Sequence, residues 1–404
     1  MKTKQFELQP FLSGLLLFLL LDPYITWPYQ SMLFFVVTVP LLGIFWYNQR
    51  VLNARNTVLF MFFAAILLLA AACKRSNLFG ILVFLLFSII PFMTRTFTRK
   101  TFRYFKYIYT IVLLLGMIVW ILVFVGLPIP HTLIPPLNSL KEYDFDCYPL
   151  LVIPHSYQIS IESVYASLRF CGPFEEPGVI GTISLLILLA DDFDLKDKMN
   201  IIILISGLLS FSIFFYLGLL LFAIYYMVFN KKWLWGFLVI ISSFLFYNYT
   251  KEDPFFKQML WERLLWDQDN KTISGDNRSG DELDAYFEKI KGSSIYYFGT
   301  PDHKLLTDFS GSASYKNSVL TYGMLSCLFY LIFFLLLGRY RIGVRKELLL
   351  FMAILILTLY QRPSFFSINY IFLFVIILEF HSINEDAKRL KFIRNNIQNS
   401  KDKF

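Results

Sequence analysis

Long uninterrupted apolar runs constrain this chain more than anything else in it. Tyr107 to Leu127, Trp233 to Phe246 and Ser318 to Leu337 approach the roughly 20 residues that a helix needs to cross about 30 Å of hydrocarbon. Lipid offers backbone amides no hydrogen bonds, so such runs must be helical. An outer-membrane barrel would show short segments of alternating polarity, and no such period is present. The 404 residues are 57% hydrophobic and 16% charged, with a mean hydropathy of +0.57. That balance excludes a water-soluble domain of this size. The net charge of +8 does not point to nucleic acid, because the lysines and arginines cluster beside apolar runs, where they set topology.

The runs predict an all-α polytopic membrane protein, a single membrane domain over residues 1–404 with about twelve spans. These are Phe11 to Leu21, Ser31 to Tyr47, Thr57 to Cys73, Leu78 to Met93, Tyr107 to Leu127, Gly178 to Ala190, Ile201 to Ser210, Ser212 to Phe229, Trp233 to Tyr249, Ser318 to Leu337, Leu348 to Tyr360 and Ser364 to Phe380. The first run ends at Asp22-Pro23 without a small-residue cleavage site, so it reads as a retained span. The stretch Ile201 to Phe229 is either one helix or two hinged near Ser210, Phe211 and Ser212. Two helices put every strong basic cluster, including Arg339 to Lys346 and the tail 381–404, on the cytoplasmic side with both termini. One helix would send the Arg339 cluster outside.

Two large extracytoplasmic loops remain, 128–177 and 250–317. Prolines 128, 130, 135, 136, 149 and 154 disfavour helix at the start of the first, which reads as chain folded across the membrane surface. In the second, Leu283, Tyr286, Phe287 and Ile290 fall at helical spacing within Asp281 to Ile290, and Ser279 and Glu282 have capping-box spacing.

The sharpest local pattern is Arg169-Phe-Cys-Gly172-Pro-Phe-Glu175-Glu176-Pro177-Gly178, where the first loop re-enters the membrane. An arginine and two carboxylates at a membrane mouth are costly to bury unpaired. Either Arg169 grips a phosphate bidentately while Glu175 or Glu176 orients it or accepts a proton, or the three form an interfacial ion pair with Pro177 starting a helix. Arg278, just before the amphipathic helix, is a second cation suited to a diphosphate, or a solvated loop arginine. Arg362 sits in an outer connection where topology asks for no positive charge, so substrate binding and interfacial snorkelling both account for it. Tyr315 and Lys316 open the tenth span, as substrate contacts or as interface anchors beside an N-cap. His303 is a candidate base or an exposed histidine. No metal or cofactor is expected: the four histidines are scattered, and there is no CxxC, HExxH, Gly-rich phosphate loop or GxSxG elbow. Cys147 and Cys171 share the first loop, and a disulfide between them would close the segment carrying Arg169 in an oxidising compartment.

With Arg169-x-x-Gly172-x-x-x-Glu176-Pro177-Gly178 ending one outer loop, the chain resembles the bacterial O-antigen polymerase and O-antigen ligase superfamily, membrane glycosyltransferases of the GT-C type. Arg278 followed by an amphipathic helix, Phe298-Gly299, and Ser314-Tyr315-Lys316-Asn317 running into Tyr322-Gly323 carry the rest of the likeness. The resemblance implies an undecaprenyl diphosphate-linked oligosaccharide as donor, held by Arg169 and Arg278, in a bacterial inner membrane with the active site facing the periplasm. It implies metal-independent transfer onto an acceptor lipid-linked repeat unit, with a chain-length regulator as a further partner. The ligase branch typically carries a histidine and an asparagine before the tenth span, where this chain reads Tyr315-Lys316-Asn317, and that favours the polymerase. A ligase acting on lipid A core, or a flippase of lipid-linked oligosaccharide, are the competing readings. A flippase would place ionisable residues within its spans, whereas here they collect outside them.

Overall fold

Apolar runs that satisfy their backbone internally become helices, and the chain is built almost entirely from them. The computed structural model is mostly helical (74%) and describes residues 7–50, 53–137, 141, 143–155, 169–230, 233–262, 265–267, 272–273, 281–302, 305, 314–343 and 345–380. In chain order α1 is Leu8–Leu19, and α2 (Gln30–Leu33) passes through a π-helical stretch, Phe34–Thr38, into α3 (Val39–Tyr47). Then come α4 (Ala54–Cys73), α5 (Leu78–Phe87), α6 (Arg95–Phe124), α7 (Pro177–Ala190), α8 (Lys198–Leu209), α9 (Ile213–Asn230) and α10 (Trp233–Thr250). The second loop includes α11 (Asp281–Ile290) and α12 (Ser294–Phe298), and α13 (Tyr315–Arg341), α14 (Lys346–Gln361) and α15 (Ile368–Phe380) follow, with shorter helical turns elsewhere such as Tyr24–Tyr29 and Pro254–Phe256.

Three of these, α4, α6 and α13, are long and apolar enough to cross a membrane by length and composition, and shorter apolar helices surround them. Their outward faces are apolar too: Val58, Met61 and Leu68 on α4 and Leu114, Leu115, Ile118 and Ile121 on α6 are exposed. Water would penalise such a surface, and hydrocarbon does not. Inside, phenylalanines dominate, as where Phe63 stacks on Phe333 at 4.1 Å between ring centroids.

Three features go beyond what the apolar runs indicate. The helix that carries the fifth apolar run, α6, already starts at Arg95, ahead of Tyr107, because Phe97, Phe102 and Phe105 bury one of its faces through a segment whose cations bound the apolar run. Within the first loop, β1 (Thr132–Ile134), β2 (Phe145–Tyr148) and β3 (Leu151–Pro154) form a small antiparallel sheet, with Phe145 opposite Pro154 and Cys147 opposite Val152. Prolines that forbid helix leave these short apolar runs free to pair, and Leu150 (φ +60°) turns the hairpin. A two-residue ladder, Trp266–Asp267 with Thr272–Ile273, occurs in the second loop. Finally, Cys147 and Cys171 are free thiols, both buried. Burial pushes each thiol up to about 12, so neither is a ready nucleophile.

The stretch after Ile201 is two helices. α8 ends at Leu209, Phe211 takes a left-handed φ of +47°, and α9 begins at Ile213.

The ends of the helices differ in charge. At one end Glu379, with no side-chain exposure (0%), is bound by Arg50, by Arg95 at 3.2 Å and by Arg341 at 3.1 Å. Lys106, buried on α6, is held by Asp191 and by Asp197 at 2.7 Å. For Asp197 burial works against ionisation, but Lys106 and the Met199 amide outweigh it and hold the carboxyl below its ordinary value of 3.8. A depressed folded-state pKa means stability that is present above about pH 4 and lost as pH falls through the lower folded value. Asp197→Asn is therefore expected to lower thermal stability at neutral pH and to make it less sensitive to acid below about pH 4, in melts across that range. Equal acid sensitivity in both proteins would refute the assignment.

Candidate functional site

The opposite end of the bundle gathers the charged residues of the first loop. Pro177 opens α7, and Glu176 precedes it in extended conformation (φ −132°, ψ 134°). Its carboxylate meets Arg362, which follows α14, with Nη2 to Oε2 at 2.5 Å. The guanidinium lies directly on Gly178: a Cβ there would stand 2.3 Å from Arg362 Nη2. Glycine at the end of the Glu-Pro-Gly turn is thus what admits an arginine from a remote part of the chain.

Lys141 joins the two glutamates, at 3.3 Å from Glu175 and 3.7 Å from Glu176. Asp22, at the end of the first apolar run, adds a third carboxyl. Burial raises its pKa, a hydrogen bond from Gln30 at 3.2 Å opposes that, and the charge of Glu175 adds to it. Burial would lower the Arg362 pKa, but Glu176, with smaller contributions from Tyr370 and Glu175, raises it above its ordinary value. The result is a compact set of opposed charges at one end of the bundle.

Arg169 sits at the break between α8 and α9. Its Nε donates to the Ser210 carbonyl and an Nη to the Phe211 carbonyl, each at 3.1 Å. These are carbonyls left over where α8 ends without a glycine cap, so the arginine holds the helix break in place. The neighbouring Phe170 amide donates to Leu209 O at 3.0 Å. Arg169 still lies close enough to the cluster that Cys171 feels Arg169, Lys141 and Glu176 together.

Beside Arg362 an open cavity of about 420 Å³ is lined by Asn317, Ser318, Thr321, Ser364 and Ser367, with Tyr322 and Phe366 supplying rings 4.8 Å apart. Hydroxyls, an amide and aromatic faces at one mouth suit a sugar, whose rings have apolar faces and polar edges. Tyr315 and Lys316 do not line it. Tyr315 stacks on Tyr360 at 5.7 Å, and Lys316 pairs with Asp284 of α11 at 2.7 Å. They clamp the amphipathic helix, whose Leu283, Phe287 and Ile290 are buried.

Beneath that helix α13 is broken. Gly323 adopts φ +77°, ψ 148°, which removes Leu320 O from the helical ladder, and the Thr300 amide takes its place at 2.7 Å. Gly299 packs against the same kink, 3.0 Å from Leu320 O by its notional Cβ. Phe298-Gly299 and Tyr322-Gly323 are therefore one contact, the point where the second loop plugs into the bundle.

Arg278 and His303 lie outside the described residues. Among the described residues no three His, Cys, Asp or Glu side chains converge as a metal-binding set. Sequence reasoning singled out Glu175, Glu176 and Arg362 but missed Lys141 and Asp22. Both carried a signal: Lys141 is one of two cations in the first loop, and Asp22 ends an apolar run. No protein-family profile matches this chain, nor does any curated protein or solved structure.

Proposed function

We propose that the chain is a polysaccharide polymerase of bacterial inner membranes, with all twelve apolar runs spanning, both termini cytoplasmic and the Glu176–Arg362 end facing the periplasm. The observation that carries this reading is the cluster of Lys141, Glu175, Glu176 and Arg362, whose Arg362 lines a cavity suited to sugars. The segregation of Arg50, Arg95, Arg341 and Lys106 to the other end supports the orientation.

In this reading a hydroxyl oxygen of the acceptor glycan attacks the anomeric carbon of the donor. The bond from that carbon to the diphosphate oxygen breaks, and undecaprenyl diphosphate leaves with the electron pair. Glu175 or Glu176 receives the hydroxyl proton. Arg362 and Lys141, with Arg169 from its anchored position, offset the charge developing on the diphosphate, so no nucleotide or metal is required. Arg278 and His303 contribute from the second loop, which Tyr315 and Lys316 hold in register. A chain-length regulator is the protein partner such a reaction would use.

Purified protein given a lipid-linked repeat unit is expected to build a ladder of lengthening chains. Glu176→Gln and Arg362→Gln should each reduce it by about 100-fold, the usual effect of removing one preorganised charge partner. Ladders undiminished in both variants would dismiss the site. Transfer to lipid A core instead would make the protein a ligase, and transport of the lipid-linked sugar without extension would make it a flippase.

A further inference from the structure

Lys74 closes α4. Its amide donates to Ala70 O at 2.9 Å, Arg75 follows with a left-handed φ of +53°, and Asn77 then caps α5 by accepting from the Gly80 amide at 2.8 Å. That short turn fixes where the lysine side chain emerges, exposed at the helix end. Its Nζ stands 5.9 Å from the ring centroid of Phe84 on α5 and 5.9 Å from that of Tyr322 on α13. Both distances are within the roughly 6 Å at which a cation feels a ring quadrupole. Phe84 is in turn 6.1 Å from Phe366, so the ammonium borders the aromatic wall of the cavity beside Arg362, to which Tyr322 and Phe366 both belong.

Arg362, which lines that cavity, is matched by Glu176; Lys141 is matched by both glutamates, and Lys316, next to the lining Asn317, by Asp284. Lys74 differs. Among the described residues it has no ion-pair partner, and desolvation, opposed by no nearby carboxylate, lowers its pKa from the ordinary 10.5. Aromatic rings offset an ammonium's charge only in part. The cavity's hydroxyls do not replace a cation: Ser318 Oγ already donates to Pro363 O at 2.7 Å and Thr321 Oγ1 to Asn317 O at 2.9 Å. Their remaining lone pairs accept from sugar hydroxyls and repel an anion. We propose that Lys74 receives a carboxylate carried on a sugar ring seated in this cavity, so that the glycan taken there contains a hexuronate, given that the Arg362 cavity is a glycan site as proposed above. The sugar's apolar face lies on Tyr322 and Phe366, and the flexible four-carbon stem of the lysine brings the ammonium to the carboxylate at the ring edge. The diphosphate of a lipid-linked donor is the other anion of this chemistry, and the test separates the two.

The test uses the full chain in lipid nanodiscs, with a tetramer of galacturonic acid and the neutral tetramer made by reducing its carboxylates as probes. Affinity is measured for both, and acetylation of Lys74 by an amine-reactive ester is followed by peptide mapping. The acidic tetramer is expected to bind several-fold more tightly than the neutral one and to slow acetylation of Lys74. Lys74→Gln should remove that advantage and Lys74→Arg should retain it, whereas a lysine that only braces the rings would shift both tetramers alike. Equal affinity for the two tetramers, or an advantage that survives Lys74→Gln, would overturn the proposal while leaving the cavity a glycan site. Protection of Lys74 by inorganic diphosphate and not by the acidic tetramer would overturn it in favour of the donor's diphosphate. If neither tetramer binds the parent protein, the glycan site itself falls.

Discussion

Replacing Glu379 by alanine is expected to destabilise the protein by about 3–5 kcal/mol, the loss typical when one member of a buried ion cluster is removed. Glu379 has no exposure, Arg341 has 3% and Arg50 has 21%. The arginines are fixed by more than the carboxylate: Arg50 donates to Met93 O and Arg341 to Pro91 O. Without Glu379 they would stay buried with their charges uncompensated. Glu379→Gln preserves shape and removes only the charge, so it should show most of the same loss. Arg95→Ala should cost under about 1 kcal/mol, because that side chain is 44% exposed and water screens it. Thermal unfolding in detergent measures all three. A Glu379→Ala protein that melts with the parent would show that the cluster is not a source of stability.

Gly323→Ala is the other large effect. The backbone there (φ +77°, ψ 148°) is a region that side chains rarely enter, and an added Cβ would lie 2.3 Å from Tyr297 O and 2.8 Å from Phe298 Cα. Strain and overpacking together amount to on the order of 3 kcal/mol. The clash is with backbone, so no rotamer change relieves it. The second loop is expected to lift off α13, which would expose the Thr300 amide and the end of α12 to faster hydrogen exchange. Gly43→Ala is the matched control, since nothing lies within 4 Å of its Cβ position. If both variants exchange and melt alike, the kink is not the plug described here.

Both effects explain what could be read along the chain and what could not. The amphipathic helix was legible to the residue, Asp281–Ile290, because its period is set by neighbours three and four positions apart. The break at Phe211 was legible from charge, because two helices keep Arg339 to Lys346 with the other basic clusters, as the positive-inside rule asks. The start of α6 was not, since hydropathy stops at the first cations while the helix runs on. Arg362 stood out as a cation that topology does not require, yet nothing near it in sequence announced Glu176 or the bare Cα of Gly178. The anchoring of Arg169 to the Ser210 and Phe211 carbonyls was not legible either, because it depends on where another helix ends.

The sequence by itself determined the solvent: 57% hydrophobic residues in helix-length runs leave lipid as the one medium in which this chain is stable, and lipid imposes helices. Tertiary structure decided which charges meet. Glu176 with Arg362, Lys141 with both glutamates, and Glu379 with three arginines are pairings across distant segments. The physical reason is reach: backbone hydrogen bonds and side-chain periodicity act over a few residues, whereas a desolvated charge takes whichever opposite charge the packed helices bring within a few ångströms.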